Sequence, residues 1–245
     1  MLKGKGAVVT GGSRGIGRAI VERLCRDGAH VVFNYATSAD AAADVVRAVE
    51  AAGGVATAVA VDLAEAGAAE RLMAEAGDVL DGFDILVNNA ALRFDPATFA
   101  DTDPEVYEKV MAVNAGTVFH TIRYAARHMR DDGRIVNISS INTVRHPPGI
   151  APYAASKGAI EQLTSVAAIE LGGRGITVNT VSPGATDTDL LRGTNSAEAL
   201  AAIPAATPLG RIGTPADVAD AVAMLLGPDA RWITGQNVRA TGGLG

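Results

Sequence analysis

Short runs of Val, Ile and Leu alternate along the chain with longer stretches in which apolar residues recur every three or four positions. The apolar runs are nearly continuous, as is typical of strands that helices cover on both faces. This alternation predicts right-handed βαβ units and an α/β fold, a doubly wound, Rossmann-like parallel sheet of about seven strands flanked by helices. The predicted strands cover residues 7–10, 30–34, 55–61, 84–87, 134–138, 176–181 and 237–239.

The longer stretches predict helices between these strands. No linker rich in Pro and Ser and no internal repeat interrupts them, so we predict a single domain over residues 1–245. The least regular segment, 185–214, combines Gly and Pro with small residues and is interpreted as a lid or substrate loop rather than a passive connector. The predicted helices cover residues 15–27, 39–52, 65–78, 104–130 (broken near Asn114), 152–171 and 215–226.

Composition and charge exclude several classes of protein. The chain is 48% hydrophobic and 20% charged, as globular proteins are, and its net charge of −6 without a basic block argues against nucleic-acid binding. It shows neither a secretory signal nor a membrane-spanning run, and Cys25 is its only cysteine, so we expect a soluble cytoplasmic protein. His30, His120 and His128 lack the spacing of metal ligands, and no metal is expected in the chemistry.

A glycine-rich loop lies between the first strand and the first helix. Gly11, Gly15 and Gly17 would let the backbone turn tightly and approach a pyrophosphate, whose charge then meets the helix amides. The spacing is G-x-x-x-G-x-G rather than the common G-x-G-x-x-G. The loop predicts a dinucleotide site at the first strand.

The end of the second strand decides between the two nicotinamide cofactors. An Asp or Glu there would bind the ribose 2′-hydroxyl of NAD, but the chain has neither. Asn34, Thr37 and Ser38 could instead donate hydrogen bonds to a 2′-phosphate, and Arg14 could supply a forked cation. NADP(H) is therefore the predicted cofactor, with NAD(H) as the alternative.

A tyrosine and a lysine share one face at the start of the helix predicted over 152–171. Tyr153 and Lys157 are four residues apart, so the phenol and the ammonium should project together. A nearby ammonium, together with an oxidised nicotinamide, would favour the phenolate and lower the high pKa of the phenol. Ser139 and Ser140 end the preceding strand, where the ligand crevice of a doubly wound sheet lies. The group predicts acid–base chemistry on an alcohol or carbonyl oxygen.

These motifs together resemble the short-chain dehydrogenase/reductase family over essentially the whole chain. The resemblance lies in T-G-x-x-x-G-x-G at residues 10–17, an acid at Asp62, N-N-A at 88–90, Asn114, a serine thirteen residues before Tyr153, and P-G at 183–184. Among family members the chain resembles the 3-oxoacyl-carrier-protein reductases and related carbonyl reductases. Two departures stand out: Ala91 replaces the glycine that usually follows N-N-A, and Arg239 and Thr241 stand near the C-terminus where many relatives carry an aspartate.

The resemblance implies a role for each matching residue. Tyr153 would exchange the proton of the substrate oxygen, Ser140 would polarise that oxygen, Lys157 would bind the nicotinamide ribose and lower the pKa of Tyr153, and Asn114 would hold a relay water. The loop and the resemblance together predict these cofactor-binding residues: Gly11, Ser13, Arg14, Gly15, Ile16, Gly17, Asn34, Tyr35, Thr37, Ser38, Asp62, Leu63, Asn89, Ala90, Tyr153, Lys157, Pro183, Gly184, Thr186 and Thr188.

The substrate is open at this level. Arg174 matches a basic position of the carrier-protein reductases, whereas Asp131 and Asp132 would oppose an acidic carrier protein, so a 3-oxoacyl thioester on a carrier protein or CoA and a smaller ketone or aldehyde both stand. Arg93, Phe94, Leu190 and Leu191 are predicted to border the pocket, and His146 is interpreted as a solvent-facing loop residue.

The resemblance also implies a homotetramer that packs through helices 104–130 and 152–171. An NAD-dependent alcohol or sugar dehydrogenase and a catalytically silent, cofactor-sensing protein are the alternative functions. Joint retention of Asn114, Ser140, Tyr153 and Lys157 favours an active enzyme.

Overall fold

A computed structural model describes residues 2–92 and 94–244 of the chain. Within them one sheet contains seven strands, which all pair in parallel in the order β3-β2-β1-β4-β5-β6-β7. This is the predicted doubly wound α/β fold. The strands are β1 (Gly6–Val9), β2 (His30–Tyr35), β3 (Val55–Ala60), β4 (Ile85–Asn88), β5 (Arg134–Ile138), β6 (Thr177–Pro183) and β7 (Asn237–Ala240).

The helices begin and end close to their predicted positions, with one clear exception. The third helix starts at Ala68 rather than at residue 65, because Gly67 takes a left-handed φ of 72° that breaks helical geometry. The helices are α1 (Gly15–Arg26), α2 (Ala39–Ala51), α3 (Ala68–Leu80), α4 (Pro104–Met111), α5 (Thr117–His128), α6 (Ala151–Leu171), α7 (Asp189–Thr194), α8 (Ala197–Ala206) and α9 (Pro215–Leu226).

The continuous apolar strands are explained by two cores, one on each face of the sheet. In β1, Val9 packs in the core formed with α1, α2 and α9, while its neighbour Val8 packs in the core formed with α3, α5 and α6. Because successive strand residues point to opposite faces, a strand that is covered on both sides is apolar at most positions. The buried polar side chains in such strands, for example Asn137 of β5 and Asn179 of β6, make hydrogen bonds inside the protein.

The strand order places a crevice at the carboxyl ends of the central strands. The chain runs outward from β1 through β2 to β3 and then returns to β4 on the other side of β1. The loops after β1 and β4 therefore diverge at their carboxyl ends, which is where doubly wound sheets bind ligands. Ser139 and Ser140 follow the carboxyl end of β5 and so lie on the same side of the sheet as this crevice.

The segment 185–214 differs from the prediction because it is largely helical. The structure places α7 and α8 there, with the hydroxyls of Thr188 and Ser196 as their N-caps. Nine of the ten residues of α8 are Ala, Leu, Ile or Glu, which have sufficient helix propensity to outweigh the Pro204 near its end. No described residue of α7 or α8 is fully buried, so the pair lies on the surface of the core.

Among the described residues, no helix combines the length and the apolar character that crossing a bilayer requires.

Candidate active site

The glycine loop is held in a conformation that only glycine allows at two points. Gly11 has a φ of 69°, and its carbonyl oxygen would lie 2.0 Å from a Cβ placed on Gly17. A side chain at position 17 would therefore collide with the loop backbone. Arg14, the N-cap of α1, makes no side-chain cap, so the first turn of the helix faces the crevice without a cap from that residue.

Thr10 joins the loop after β1 to the loop after β4. Its hydroxyl oxygen accepts hydrogen bonds from the backbone N–H groups of Asn89 (2.9 Å) and Ala90 (3.0 Å). The Asn89 amide nitrogen donates in return to the carbonyls of Thr10 (3.0 Å) and Gly11 (3.1 Å). Asn89 and Ala90 thus lie beside the crevice. The side chain of Asn89 holds the glycine loop through its two hydrogen bonds.

Asn34 does not serve as the phosphate donor that the sequence suggested. Its side chain is only 3% exposed, its Oδ1 accepts from the N–H of Gly11 (2.9 Å), and its Nδ2 donates to the carbonyl of Val61 (2.9 Å). Because both amide groups are bound inside the protein, Asn34 acts as a brace between the end of β2 and the glycine loop.

Arg14 and Ser38 meet at the surface beyond the end of β2. The guanidinium Nη2 of Arg14 donates to the Ser38 hydroxyl at 2.5 Å, and Thr37 beside them is exposed. A cation and two hydroxyls therefore face solvent at the place where an NAD-binding protein carries a carboxylate. Tyr35 is the last residue of β2, and Asp62 follows the neighbouring strand β3. One carboxylate oxygen of Asp62 accepts from the N–H of Ala64 (2.9 Å).

Tyr153, Ser140 and Lys157 come together at the carboxyl end of β5. Tyr153 and Lys157 lie one turn apart near the start of α6, and the Lys157 Nζ is 5.5 Å from the centre of the Tyr153 ring. The same ammonium donates to the carbonyl of Ile138 at 2.7 Å. Ser140 lies close enough to the Tyr153 phenol to act on its pKa, while Ser139 turns away to donate to Glu161 at 2.8 Å. The second serine of the pair is thus the one beside the tyrosine.

Burial dominates the acid–base properties of this group. Burial raises the pKa of the Tyr153 phenol, and the hydrogen bond with Ser140 acts in the opposite direction without overcoming it. Burial also lowers the pKa of Lys157 to about 8, because the ammonium is 1% exposed. In the protein without cofactor, the Lys157 ammonium therefore does not bring the pKa of Tyr153 below its ordinary value.

Asn114 supports α6 from an unusual turn. Residues Ala112–Gly116 form a π-helical turn between α4 and α5, as the predicted break near Asn114 required. The fully buried Asn114 side chain accepts from the N–H of Leu92 (2.8 Å) and donates to the hydroxyl of Ser156 (3.1 Å), which lies between Tyr153 and Lys157 on α6. Its side chain therefore braces the start of α6.

The backbone after β6 closes another side of the crevice. Gly184 packs so tightly against Thr241 that an added Cβ would lie 2.9 Å from the Thr241 Cα, and Pro183 pairs with Ala240 of β7. Of the two unusual C-terminal residues, Arg239 thus lies in β7 and Thr241 directly follows it. The Thr186 hydroxyl donates to the Gly184 carbonyl (3.1 Å), and the Thr188 hydroxyl donates to the Thr186 carbonyl (3.3 Å). Thr188 also lies 3.3 Å from a Cβ placed on Gly15, which brings this segment over the glycine loop.

An aromatic ring forms one wall beside the tyrosine. The Phe94 ring stacks near Tyr153 with centroids 6.3 Å apart and an interplanar angle of 27°, as its predicted place at the pocket required. Arg93, also predicted to border the pocket, lies outside the described residues. Leu190 and Leu191 both lie in the surface helix α7, and His146 is exposed.

Arg174 does not lie at this chain's own site. It follows α6 at the amino end of the sheet, where its guanidinium binds the Asp131 carboxylate at 2.7 Å and the carbonyls of Ala126 and Met129. Ser140 and Tyr153 are at the carboxyl end of the same strands. The charges of Arg174, Asp131 and Asp132 therefore do not indicate which substrate enters the crevice of the same chain.

Sequence reasoning missed two residues that shape the site. Thr10 accepts hydrogen bonds from two backbone amides across the crevice, and Glu161 accepts one from the hydroxyl of Ser139. Thr10 is part of the recognised motif but was not assigned a function. Glu161 lies eight residues after Tyr153, and helical spacing alone would have placed it on the same side of α6.

Comparison with known proteins assigns this site to a family. A family model described as enoyl-(acyl carrier protein) reductase matches residues 11–245. Versicolorin reductase 1 of Aspergillus parasiticus is 39% identical, with 99% of this chain and 97% of that protein covered. The chain belongs to the short-chain dehydrogenase/reductase family. It is an oxidoreductase of that family, and the resemblance noted from its motifs is confirmed.

Two further relatives add detail about neighbouring members of the family. The 3beta-hydroxysteroid dehydrogenase 1 of Eggerthella lenta is 38% identical, covering 99% of this chain and 94% of that protein. A short-chain dehydrogenase of Burkholderia cenocepacia J2315, solved in complex with NADP, is 40% identical with a TM-score of 0.93, covering 99% and 98% of the two chains.

Proposed function

We propose that this short-chain dehydrogenase/reductase is an NADPH-dependent ketoreductase that converts a ketone into a secondary alcohol, with Tyr153 as the proton donor. The observation that carries the proposal is the meeting of Tyr153, Ser140 and Lys157 at the crevice beside the glycine loop. Reduction needs a protonated acid, and burial raises the pKa of the Tyr153 phenol, which keeps it protonated at neutral pH.

The residues around the crevice fit NADP. The left-handed Gly11 and the close approach of Gly17 leave the loop open for a pyrophosphate at the first turn of α1. Arg14 and Ser38 supply a cation and a hydroxyl where a 2′-phosphate would lie, and no carboxylate stands between residues 34 and 38. NADP is also bound in the Burkholderia relative. Gly11–Gly17, Arg14 and Ser38 would hold the phosphates, and Asp62 the adenine.

The proposed mechanism assigns one task to each catalytic residue. When bound, NADPH supplies the hydride for the carbonyl carbon. Tyr153 gives its hydroxyl proton to the carbonyl oxygen, and the Ser140 hydroxyl orients and polarises the same oxygen. Lys157 holds its ammonium beneath the tyrosine ring, anchored on the Ile138 carbonyl, and binds the cofactor ribose.

Asn114 is proposed to complete a proton relay through its backbone. Both polar groups of its side chain are used within the protein. The backbone carbonyl in the π-helical turn is therefore the group we assign to the relay water, since such turns disturb the regular helical hydrogen bonds.

A ketone with a ring system next to the carbonyl is the substrate class we favour over a 3-oxoacyl thioester. The Phe94 ring provides a flat apolar wall beside Tyr153, against which a planar or cyclic substrate can stack. The name of the Eggerthella lenta relative gives a hydroxysteroid, which has fused rings. Arg174 no longer supports docking of an acidic carrier protein at this chain's own crevice.

The decisive test follows NADPH oxidation by the purified protein with cyclic and aryl ketones, simple ketones, sugars and 3-oxoacyl-CoA thioesters, each repeated with NADH. We expect turnover of ketones with NADPH. Tyr153→Phe should lower kcat by at least about 100-fold and leave the NADPH dissociation constant unchanged. Binding of NADPH without turnover of any compound would favour the cofactor-sensing alternative, and stronger activity with NADH would favour the NAD-dependent dehydrogenase.

Two further proposals concern the state and place of the protein. We propose a homotetramer built through α4, α5 and α6, because Phe119, Val166 and Ile169 expose large apolar side chains there, with Ile169 83% exposed. We also propose that the protein works in the cytoplasm, where its one cysteine, Cys25, would stay reduced.

A further inference from the structure

Ser140 stands in a short turn whose two ends are tied to one carboxylate. The turn runs from Ser139 through the 3₁₀ segment Ile141–Thr143. The hydroxyls of Ser139 and Thr143 each lie 2.8 Å from the same atom, Oε1 of Glu161. Ser140 lies between these two anchors in the sequence, and its own hydroxyl oxygen accepts from the N–H of Asn142 at 3.2 Å.

The carboxylate belongs to the helix that carries the catalytic pair. Glu161 follows Lys157 by one turn of α6 and Tyr153 by two. The Ser139 hydroxyl also lies 3.3 Å from the Lys157 carbonyl on that helix. The turn with Ser140 and the helix with Tyr153 are thus locked to each other at two points, and the distance between the two reacting hydroxyls depends on that lock.

A second strand, β6, contacts the same carboxylate. The Ser182 hydroxyl on β6 lies 3.5 Å from the Glu161 Oε1 and donates to Asn237 of β7 at 2.8 Å. Ser139 and Ser182 are both almost fully buried, so their hydroxyls need partners inside the protein. Glu161 therefore gathers the carboxyl ends of β5 and β6 onto α6.

We propose that Glu161 is a positioning residue for Ser140: its carboxylate clamps the 139–143 turn to α6 and so sets the Ser140 hydroxyl against Tyr153. The inference rests on the proposed ketoreductase function. Glu161 acts through Ser140 and does not touch the substrate. Its loss should lower kcat without weakening cofactor binding, because a small displacement of an orienting group is costly in the transition state.

The test compares Glu161→Ala and Glu161→Gln, with Glu170→Ala on the exposed side of the same helix as the control. Glu161→Ala should lower kcat by about 10- to 100-fold with the NADPH dissociation constant unchanged. Glu161→Gln should restore kcat to within about threefold of the parent, because its amide oxygen still accepts from both hydroxyls. Glu170→Ala should behave as the parent.

A double-variant cycle with Ser140→Ala separates positioning from a general structural role. If Glu161 acts through Ser140, adding Glu161→Ala to Ser140→Ala should cost less than about a further twofold in kcat. If the kcat losses of the two single variants multiply in the double variant, the proposal is overturned. It is also overturned if the kcat of Glu161→Ala stays within twofold of the parent, or if Glu161→Gln loses as much kcat as Glu161→Ala.

Should Glu161→Ala not fold, by circular dichroism and melting, the double variant Ser139→Ala/Thr143→Val decides. It removes both donors and keeps the carboxylate, so a kcat loss of about tenfold or more is expected, and an unchanged kcat would overturn the clamp. Inactivity of the parent protein on every substrate would contradict the ketoreductase function itself, whereas an active parent with an unaffected Glu161→Ala would contradict only the clamp.

Discussion

At the scale of single residues, burial decides the chemistry more than neighbouring charge does. Tyr153 and Lys157 lie in contact, yet burial raises the pKa of the phenol and lowers that of the ammonium to about 8. Both shifts favour the neutral form, as expected when charges leave water. In the proposed ketoreductase, this neutral phenol would be the proton donor.

Arg14 gives the residue-scale prediction. Arg14→Ala removes the cation that meets Ser38 beyond β2, so the KM for NADPH should rise about 10- to 100-fold, the size of a charge-assisted hydrogen bond to a phosphate. The KM for NADH should change by less than about twofold, because NADH has no 2′-phosphate. Steady-state kinetics with both cofactors measure this. Equal losses would remove Arg14 from phosphate recognition, and Arg18→Ala one turn along α1 is the control.

At the scale of elements, a buried carboxylate joins β1, β4 and the turn after α5. Asp84 accepts from the Lys5 ammonium (2.8 Å), the Gly6 N–H (3.0 Å) and the Arg130 guanidinium (3.1 Å). Burial acts to raise the pKa of Asp84, but the bonds from Lys5 and Gly6 and the charges of Lys5 and Arg130 outweigh it, so its pKa lies below the ordinary value.

Asp84→Asn should therefore lower the free energy of unfolding by about 2 kcal/mol at pH 7. A depressed carboxyl pKa stabilises the fold above the unfolded value of about 4 and ceases to do so as the pH falls through the folded pKa. The difference between parent and variant should hence shrink from about pH 4 downward. Urea unfolding at several pH values measures it, with the exposed Asp44→Asn as the control. A difference that stays constant with pH would contradict the role of the Asp84 charge.

At the scale of the whole molecule, the thiol of Cys25 can report unfolding because it is buried in one of the two cores. Burial raises the pKa of Cys25 to about 12, although hydrogen bonds with the backbone at Val31 and Val55 oppose the shift. The folded protein should react with a thiol reagent at pH 8 more than about 1,000-fold more slowly than the denatured chain. Fast labelling of the folded protein would show that this part of the core opens readily.

The proposed tetramer also belongs to this scale. Light scattering of the parent should give the mass of four chains, and Ile169→Glu should reduce it, because a charge on the exposed apolar side of α6 would be buried at the interface. Val55→Glu, on the outer strand β3, should leave the mass unchanged. A monomeric parent would contradict the assembly.

The sequence by itself determined the fold class and the chemistry-bearing residues. Strands that are covered on both faces are rich in apolar residues, and a Tyr and a Lys four residues apart on a helix share a face, so local periodicity is sufficient to predict both. The bounds of β5 and α9 follow the prediction because each has sharp signals at its ends, such as the capping box of Thr214 and Asp217.

The tertiary structure alone decided how those residues are used. Asn34 became a brace instead of a phosphate donor, and Arg174 came to lie at the far end of the sheet, since partners 23 and 43 residues away determine their environment. The same holds for Glu161, whose carboxylate meets Ser139 across 22 residues. Burial and long-range hydrogen bonds exist only once distant segments are packed, which is why no local pattern could reveal them.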